Sequence, residues 1–142
     1  MKKILIIEDD VKICAALRVR LGAAGYEIAA AQDGFSGLKM TMTFKPDLIL
    51  LDIMMPVGMG FSVAERLKDL GLSEIPIIFI TASKRAGLRK MAERLGAAGF
   101  FEKPYDADEL VAAIDLILDH KQKMVIPKPA SRAERASGQD AS

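Results

Sequence analysis

A single cysteine, Cys14, stands alone in a chain of 142 residues. One thiol cannot close an internal disulfide, which suits a reducing compartment. Charge of one sign is scarce too: 20 Lys+Arg face 19 Asp+Glu, for a formal net charge of +1. A general nucleic-acid binder carries a strong cationic excess, so direct nucleic-acid binding is not expected. Long apolar runs are missing. A spanning helix needs about 20 apolar residues, and stretches such as Leu110–Ile114 fall far short, so no membrane role is expected. The start, Met1-Lys2-Lys3-Ile4-Leu5-Ile6-Ile7, briefly mimics a signal peptide, but Glu8-Asp9-Asp10 ends the apolar run too early for an h-region. There is no Walker sequence, and Gly58-x-Gly60 lacks the third glycine of a dinucleotide fingerprint, since position 63 is Val. The only histidine, His120, falls at the end of the last helical pattern, where its cation would suit the dipole, and a phosphohistidine role is not expected. What remains is one cytoplasmic domain, long enough to close a sizeable core.

Strand and helix signals alternate. Ile4–Ile7, Tyr26–Ala31, Leu48–Leu51 and Ile75–Ile80 are short apolar runs, and Phe100-Phe101 is a weaker fifth. Runs of this length, rich in β-branched residues, suit strands buried on both faces of a parallel sheet. Between them lie helical stripes at Ile13, Leu17 and Leu21, at Phe35, Leu38 and Met42, and at Ala64 and Leu67 with Leu70 nearby. Leu88, Met91 and Leu95 form a fourth, and Leu110, Ala113, Ile114, Ile117 and Leu118 the clearest. Gly22 and Gly25 are suited to end the first helix, Gly96 and Gly99 the fourth. Cys14 and Met40, Met42 and Met91 are expected in or near the core, with Met54, Met55 and Met59 lining a loop after the third strand. The pattern predicts an α/β fold, a doubly wound, flavodoxin-like (βα)5 three-layer sandwich with parallel strand order 2-1-3-4-5. It stops near Gln122. Residues 1–122 are expected to form the domain and 123–142, with Pro127, Pro129 and Gly138, a flexible tail without an output domain.

In that strand order the first and third strands are neighbours, and ligands bind beyond their carboxyl ends. Glu8, Asp9 and Asp10 follow the first strand and Asp52 the third. Parallel strands lie ~4.8 Å apart, so these carboxylates converge on one small volume. Close like charges repel, and a hard divalent cation such as Mg²⁺, which prefers oxygen ligands and keeps several waters, relieves the conflict. Asp9 or Asp10 could instead simply cap the following helix. Thr81 at the end of the fourth strand adds a hydroxyl donor, and Lys103 after the fifth adds an ammonium. An aspartate oxygen can attack phosphorus, and phosphoryl transfer then asks mainly for positioning and for charge to meet the equatorial oxygens.

With these residues in place, the segment from about Lys2 to Lys121 resembles the receiver domain of two-component response regulators, including the single-domain chemotaxis type. Ile6-Ile7-Glu8-Asp9-Asp10 is similar to the family's acidic motif, and Pro46-Asp47-Leu48-Ile49-Leu50-Leu51-Asp52-Ile53-Met54-Met55-Pro56 to the segment around its phospho-accepting aspartate. The resemblance implies that Asp52 is the phospho-acceptor. It also implies that Glu8 and Asp9 form the acidic pair, with Asp9 a direct Mg²⁺ ligand and the backbone carbonyl of Met54 a further one. Thr81-Ala82 matches the switch Thr and its small neighbour, Phe100 the rotating aromatic, and Lys103-Pro104 the essential Lys with its usually cis bond. Met59 stands where many relatives carry Asp, which puts the capping of the third helix in doubt. An apolar Met54 and a small Ser83 occupy places where phosphate lifetime is tuned.

The resemblance further implies a sensor histidine kinase or histidine phosphotransfer protein as donor and a downstream protein as target. The chain would then be no enzyme on external substrates, but a protein that assists its own phosphorylation and dephosphorylation. Lys84, Arg85, Arg89, Lys90 and Arg94 fall on the fourth helix, and Asp106, Asp108, Glu109, Asp115 and Asp119 on or just before the fifth. Opposite charges on these helices would permit a phosphorylation-linked homodimer through the helix 4–strand 5–helix 5 face. The alternatives are a phosphorylation-independent interaction module on the same fold, the receiver part of a longer DNA-binding regulator, and a small Asp-nucleophile hydrolase. The absence of a cap or substrate-pocket segment disfavours the last.

Overall fold

The structure is a computed structural model that describes residues 1–55 and 60–120, with the side chain of residue 120 excepted. The loop 56–59, including Met59 and its bearing on helix capping, and the expected tail 123–142 lie outside the described residues. Five strands, β1 (Lys3–Ile7), β2 (Glu27–Ala31), β3 (Leu48–Asp52), β4 (Ile77–Thr81) and β5 (Gly99–Glu102), form one parallel sheet in the order β2-β1-β3-β4-β5. They alternate with α1 (Val11–Ala23), α2 (Gly34–Phe44), α3 (Gly60–Asp69), α4 (Leu88–Arg94) and α5 (Ala107–His120). This is the topology expected from the alternating pattern.

Successive strand residues point to opposite faces, and the core divides accordingly. Ile4, Ile6, Leu48, Leu50, Ile78, Ile80 and Phe101 face the layer of α1 and α5, meeting Leu17, Leu21, Leu110, Ile114 and Ile117. Leu5, Ile7, Ile49, Leu51, Phe79 and Phe100 face the other layer, meeting Val63, Leu67, Leu88 and Ala92 of α3 and α4. Every residue of β3 is buried, so Asp52 ends a strand that has no access to water along its length.

Several local expectations shift. Of the α2 stripe Phe35, Leu38 and Met42, only Leu38 packs against the core, whereas Phe35 and Met42 are 71% and 50% exposed. The buried face of α2 is Gly34, Gly37 and Thr41, with Thr41 Oγ1 donating to the Gly37 carbonyl at 2.8 Å. The reason is close approach: a Cβ on Gly37 would lie 2.5 Å from Ile7 Cδ1 and 2.9 Å from its Cγ1. Glycine lets the helix seat directly on β1, with Leu38, Met40 and Phe44 packing half-buried against the core and Phe35 and Met42 left outward. Gly37→Ala is therefore expected to cost about 1–3 kcal/mol through overpacking, read as a lower urea midpoint with an unchanged m-value; an unchanged midpoint contradicts the close seating.

Met91 and Leu70 are also exposed, whereas Met55, expected in the loop, is buried in the core. Gly22 lies within α1, and the left-handed Gly25 follows it (φ 99°); Gly96 (φ 77°) follows α4, while Gly99 opens β5. Residue Gly87 (φ 92°) starts α4 late, so Lys84 and Arg85 precede that helix and do not sit on it.

Candidate functional site

The carboxyl ends of β1, β3, β4 and β5 converge as the strand order requires. Glu8, Asp52 and Thr81 are the buried polar residues there, at 3%, 5% and 0% exposure. Glu8 follows β1 directly, and its backbone N–H donates to the Ala31 carbonyl. Asp10 is drawn away from the site. Its carboxylate accepts from the N–H groups of Lys12 and Ile13 and caps α1. The capping reading thus holds for Asp10, while Glu8, Asp9 and Asp52 place carboxylate oxygens within 4.8 Å of one another.

Lys103 reaches into this cluster. Its Nζ lies 3.0 Å from Glu8 Oε1 and 3.4 Å from Asp52 Oδ2. The other oxygens are held by backbone: Asp10 N–H donates to Glu8 Oε2 at 3.1 Å, and Met54 N–H to Asp52 Oδ1 at 3.0 Å. The Met54 contact orients the Asp52 carboxylate through the main chain, and no side-chain motif could have revealed it. Thr81 is fixed at the rim, its hydroxyl accepting from Ser83 N–H at 3.0 Å and its carbonyl from Lys103 N–H at 2.7 Å. The Lys103-Pro104 bond is cis, as the resemblance implied. Phe100 is buried between the sheet and α4, with the Arg89 guanidinium 5.4 Å above its ring. Cys14 is also buried; its thiol donates weakly to the Glu8 carbonyl and is pushed above its ordinary range, chiefly by burial.

Electrostatics sets what this pocket can hold. Burial, reinforced by the neighbouring Asp52, pushes Glu8 up from 4.5 to about 7. Burial works against the Lys103 ammonium, but Glu8 and Asp52 outweigh it and hold Lys103 above its ordinary value. Three carboxylates around one ammonium leave an excess of negative charge, and a proton on Glu8 relieves it when nothing else does. A hard divalent cation with oxygen ligands fits the same need. The carboxylates of Glu8, Asp9 and Asp52 are the groups placed to hold such a cation.

The raised Glu8 has a consequence for stability. A folded state that binds the proton more tightly than the unfolded chain loses stability as pH rises between the two values. This group's contribution is thus fully present below pH 4.5 and is lost as pH rises through about 7. Urea midpoints of metal-free protein should show that fall, and Glu8→Gln should flatten it. An equal slope in the variant contradicts the assignment.

The arrangement is that of a receiver domain, and comparison with known proteins agrees. The family model for the response regulator receiver domain matches residues 4–115, and the chain belongs to that family. It is 41% identical over 114 residues to the transcriptional regulatory protein DltR of Streptococcus agalactiae, covering 80% of this chain and 50% of that protein. It is 34% identical over 135 residues to the DNA-binding dual master transcriptional regulator RpaA of Synechocystis, covering 94% and 55%. The chain thus spans about half the length of the curated relatives it matches. Among solved structures it is similar to a CheY-like response regulator receiver domain from Methanospirillum hungatei, with TM-score 0.80 and 26% identity over 85% of this chain and 96% of that one. It also resembles the chemotaxis protein CheY4 of Vibrio cholerae, with TM-score 0.75 and 27% identity over 81% and 97%. Among the described residues, no helix is long and apolar enough to cross a membrane.

Proposed function

We propose that this chain is a phosphorylation-driven signalling switch in which Asp52 accepts a phosphoryl group from a phosphohistidine on a sensor histidine kinase or phosphotransfer protein. The observation that carries the reading is the joint placement of Asp52 and Lys103. A buried carboxylate at a strand tip is oriented by the Met54 N–H and lies 3.4 Å from an ammonium. An Asp52 oxygen forms the new bond to phosphorus as the bond to the imidazole nitrogen breaks, and the imidazole keeps that electron pair. Lys103 meets the charge on the transferred oxygens. Mg²⁺, held by Glu8, Asp9, Asp52 and the Met54 carbonyl, would add charge at the same place. Thr81 exchanges its contact with Ser83 N–H for a hydrogen bond donated to the phosphoryl group, and the packing around Phe100 carries this to the α4–β5–α5 face. A local charge change read out by a two-state element is a recurrent switching scheme. The chain assists its own phosphorylation and dephosphorylation and turns over no external substrate. Fluoroberyllate titration with Mg²⁺ tests the reading against a phosphorylation-independent module: saturable, Mg²⁺-dependent binding supports the switch, and no response refutes it.

The output has two forms. In one, a stand-alone cytoplasmic receiver contacts a downstream protein. The other is favoured by the half-length coverage of DltR and RpaA, one named a transcriptional regulatory protein and the other a DNA-binding regulator: here the chain is the receiver part of a longer DNA-binding regulator. Either form accommodates a homodimer. Arg89, Lys90 and Arg94 are exposed on α4 and Asp119 on α5, whereas Asp108 pairs with Arg20 of α1 and Asp115 accepts from the Tyr26 hydroxyl, so both leave the acidic set. Light scattering with and without the phosphoryl mimic should show a rise toward twice the monomer mass, and an unchanged mass at high concentration excludes the dimer.

A further inference from the structure

The loop that follows Thr81 is fastened to β5 by a charged contact outside the acidic pocket. Thr81 and Glu102 are register partners across β4 and β5, so their side chains stand side by side on one face of the sheet. Lys84, three residues after Thr81, crosses to that neighbour: its Nζ lies 3.2 Å from Glu102 Oε1 and 3.5 Å from the Lys103 carbonyl oxygen. Within the loop, Ser83 N–H donates to the Thr81 hydroxyl and Arg85 N–H to the Ser83 hydroxyl. Arg89 makes a second tie to the same face of β5, over the ring of Phe100. The segment from Thr81 to Arg89 is therefore held on β5 while the Thr81 hydroxyl is engaged with its own loop.

We infer that the Lys84–Glu102 ion pair is a latch that holds the β4–α4 loop in its resting place and so opposes the movement of Thr81 toward a phosphoryl group on Asp52. Lys84 and Glu102 are positioning residues: they touch neither the acceptor oxygen nor the groups placed to hold the cation. The inference rests on the proposed phosphorylation of Asp52. It adds a determinant of how readily this chain switches, located in two side chains beside the site. Exposed ion pairs are weak, so the effect is a modest bias, not an on–off control.

The test is a double-mutant cycle on Lys84→Met, Glu102→Gln and the double variant, read as affinity for fluoroberyllate with Mg²⁺. Loss of the latch favours binding in either single variant. Altered charge near an anion acts differently: removing Lys84 disfavours binding, and removing Glu102 favours it. A latch therefore gives non-additivity, with a coupling factor of about two to five at low salt that shrinks as salt is raised. Strict additivity overturns it. Hydrogen exchange at the Ser83 amide, measured without any phosphoryl mimic, should be faster in both single variants, and an unchanged rate overturns the latch equally. Failure of the wild-type chain to bind fluoroberyllate strikes the phosphorylation reading instead, and the exchange measurement still decides whether the loop is latched.

Discussion

Asp52→Asn abolishes labelling by acetyl phosphate and leaves the chain folded. The substitution keeps the shape of the side chain and an oxygen able to accept from the Met54 N–H, so the strand end stays in place. It removes the anionic oxygen that attacks phosphorus, and an amide oxygen is a far weaker nucleophile. It also removes one carboxylate from a cluster whose like charges oppose folding, so stability should be equal or slightly higher. Intact-mass measurement and circular dichroism check both halves. Persistent labelling of a folded variant would refute the acceptor assignment.

Lys103→Met has the second large effect, and it divides into two. Lys103 is the sole ammonium within ion-pair distance of Glu8 and Asp52 among the described residues. Without it, two nearly buried carboxylates face each other uncompensated, a change that costs about 3 kcal/mol where both stay ionised. Below about pH 7 a proton on Glu8 takes up the deficit, so the stability loss should grow as pH rises past 7. Mg²⁺ should restore part of it at the higher pH. Labelling should fall by about a hundredfold or more even in the folded, metal-loaded variant, because a preorganised charge aimed at the transferring group is lost. A variant equally destabilised at both pH values would mean that Lys103 acts through packing. Unchanged labelling would remove it from the reaction.

The parallel sheet was legible because each strand is a compact apolar run and each crossover carries a helical period. Strand order then placed Glu8, Asp52, Thr81 and Lys103 at one end without further information. The helix faces were less legible where close packing replaced bulk. A Phe35, Leu38, Met42 stripe is the natural reading of α2, yet the contact with β1 is made by Gly37, and a residue without a side chain leaves no mark in an apolar pattern. Main-chain donors were invisible for the same reason: the Met54 N–H that orients Asp52 belongs to every non-proline residue. Charge pattern alone groups Lys84 with a basic helix. The left-handed Gly87 instead starts α4 later and frees Lys84 to reach Glu102. Local backbone geometry, not periodicity, decided that contact.

The central claim is that one side chain, Asp52, carries the phosphoryl group. Borohydride reduction after exposure to acetyl phosphate and Mg²⁺ converts an aspartyl phosphate to homoserine, which peptide mass spectrometry locates directly. The account predicts homoserine at position 52 and at no other acidic position. Modification at Glu8, Asp9 or elsewhere, or none under conditions that saturate fluoroberyllate binding, would contradict it.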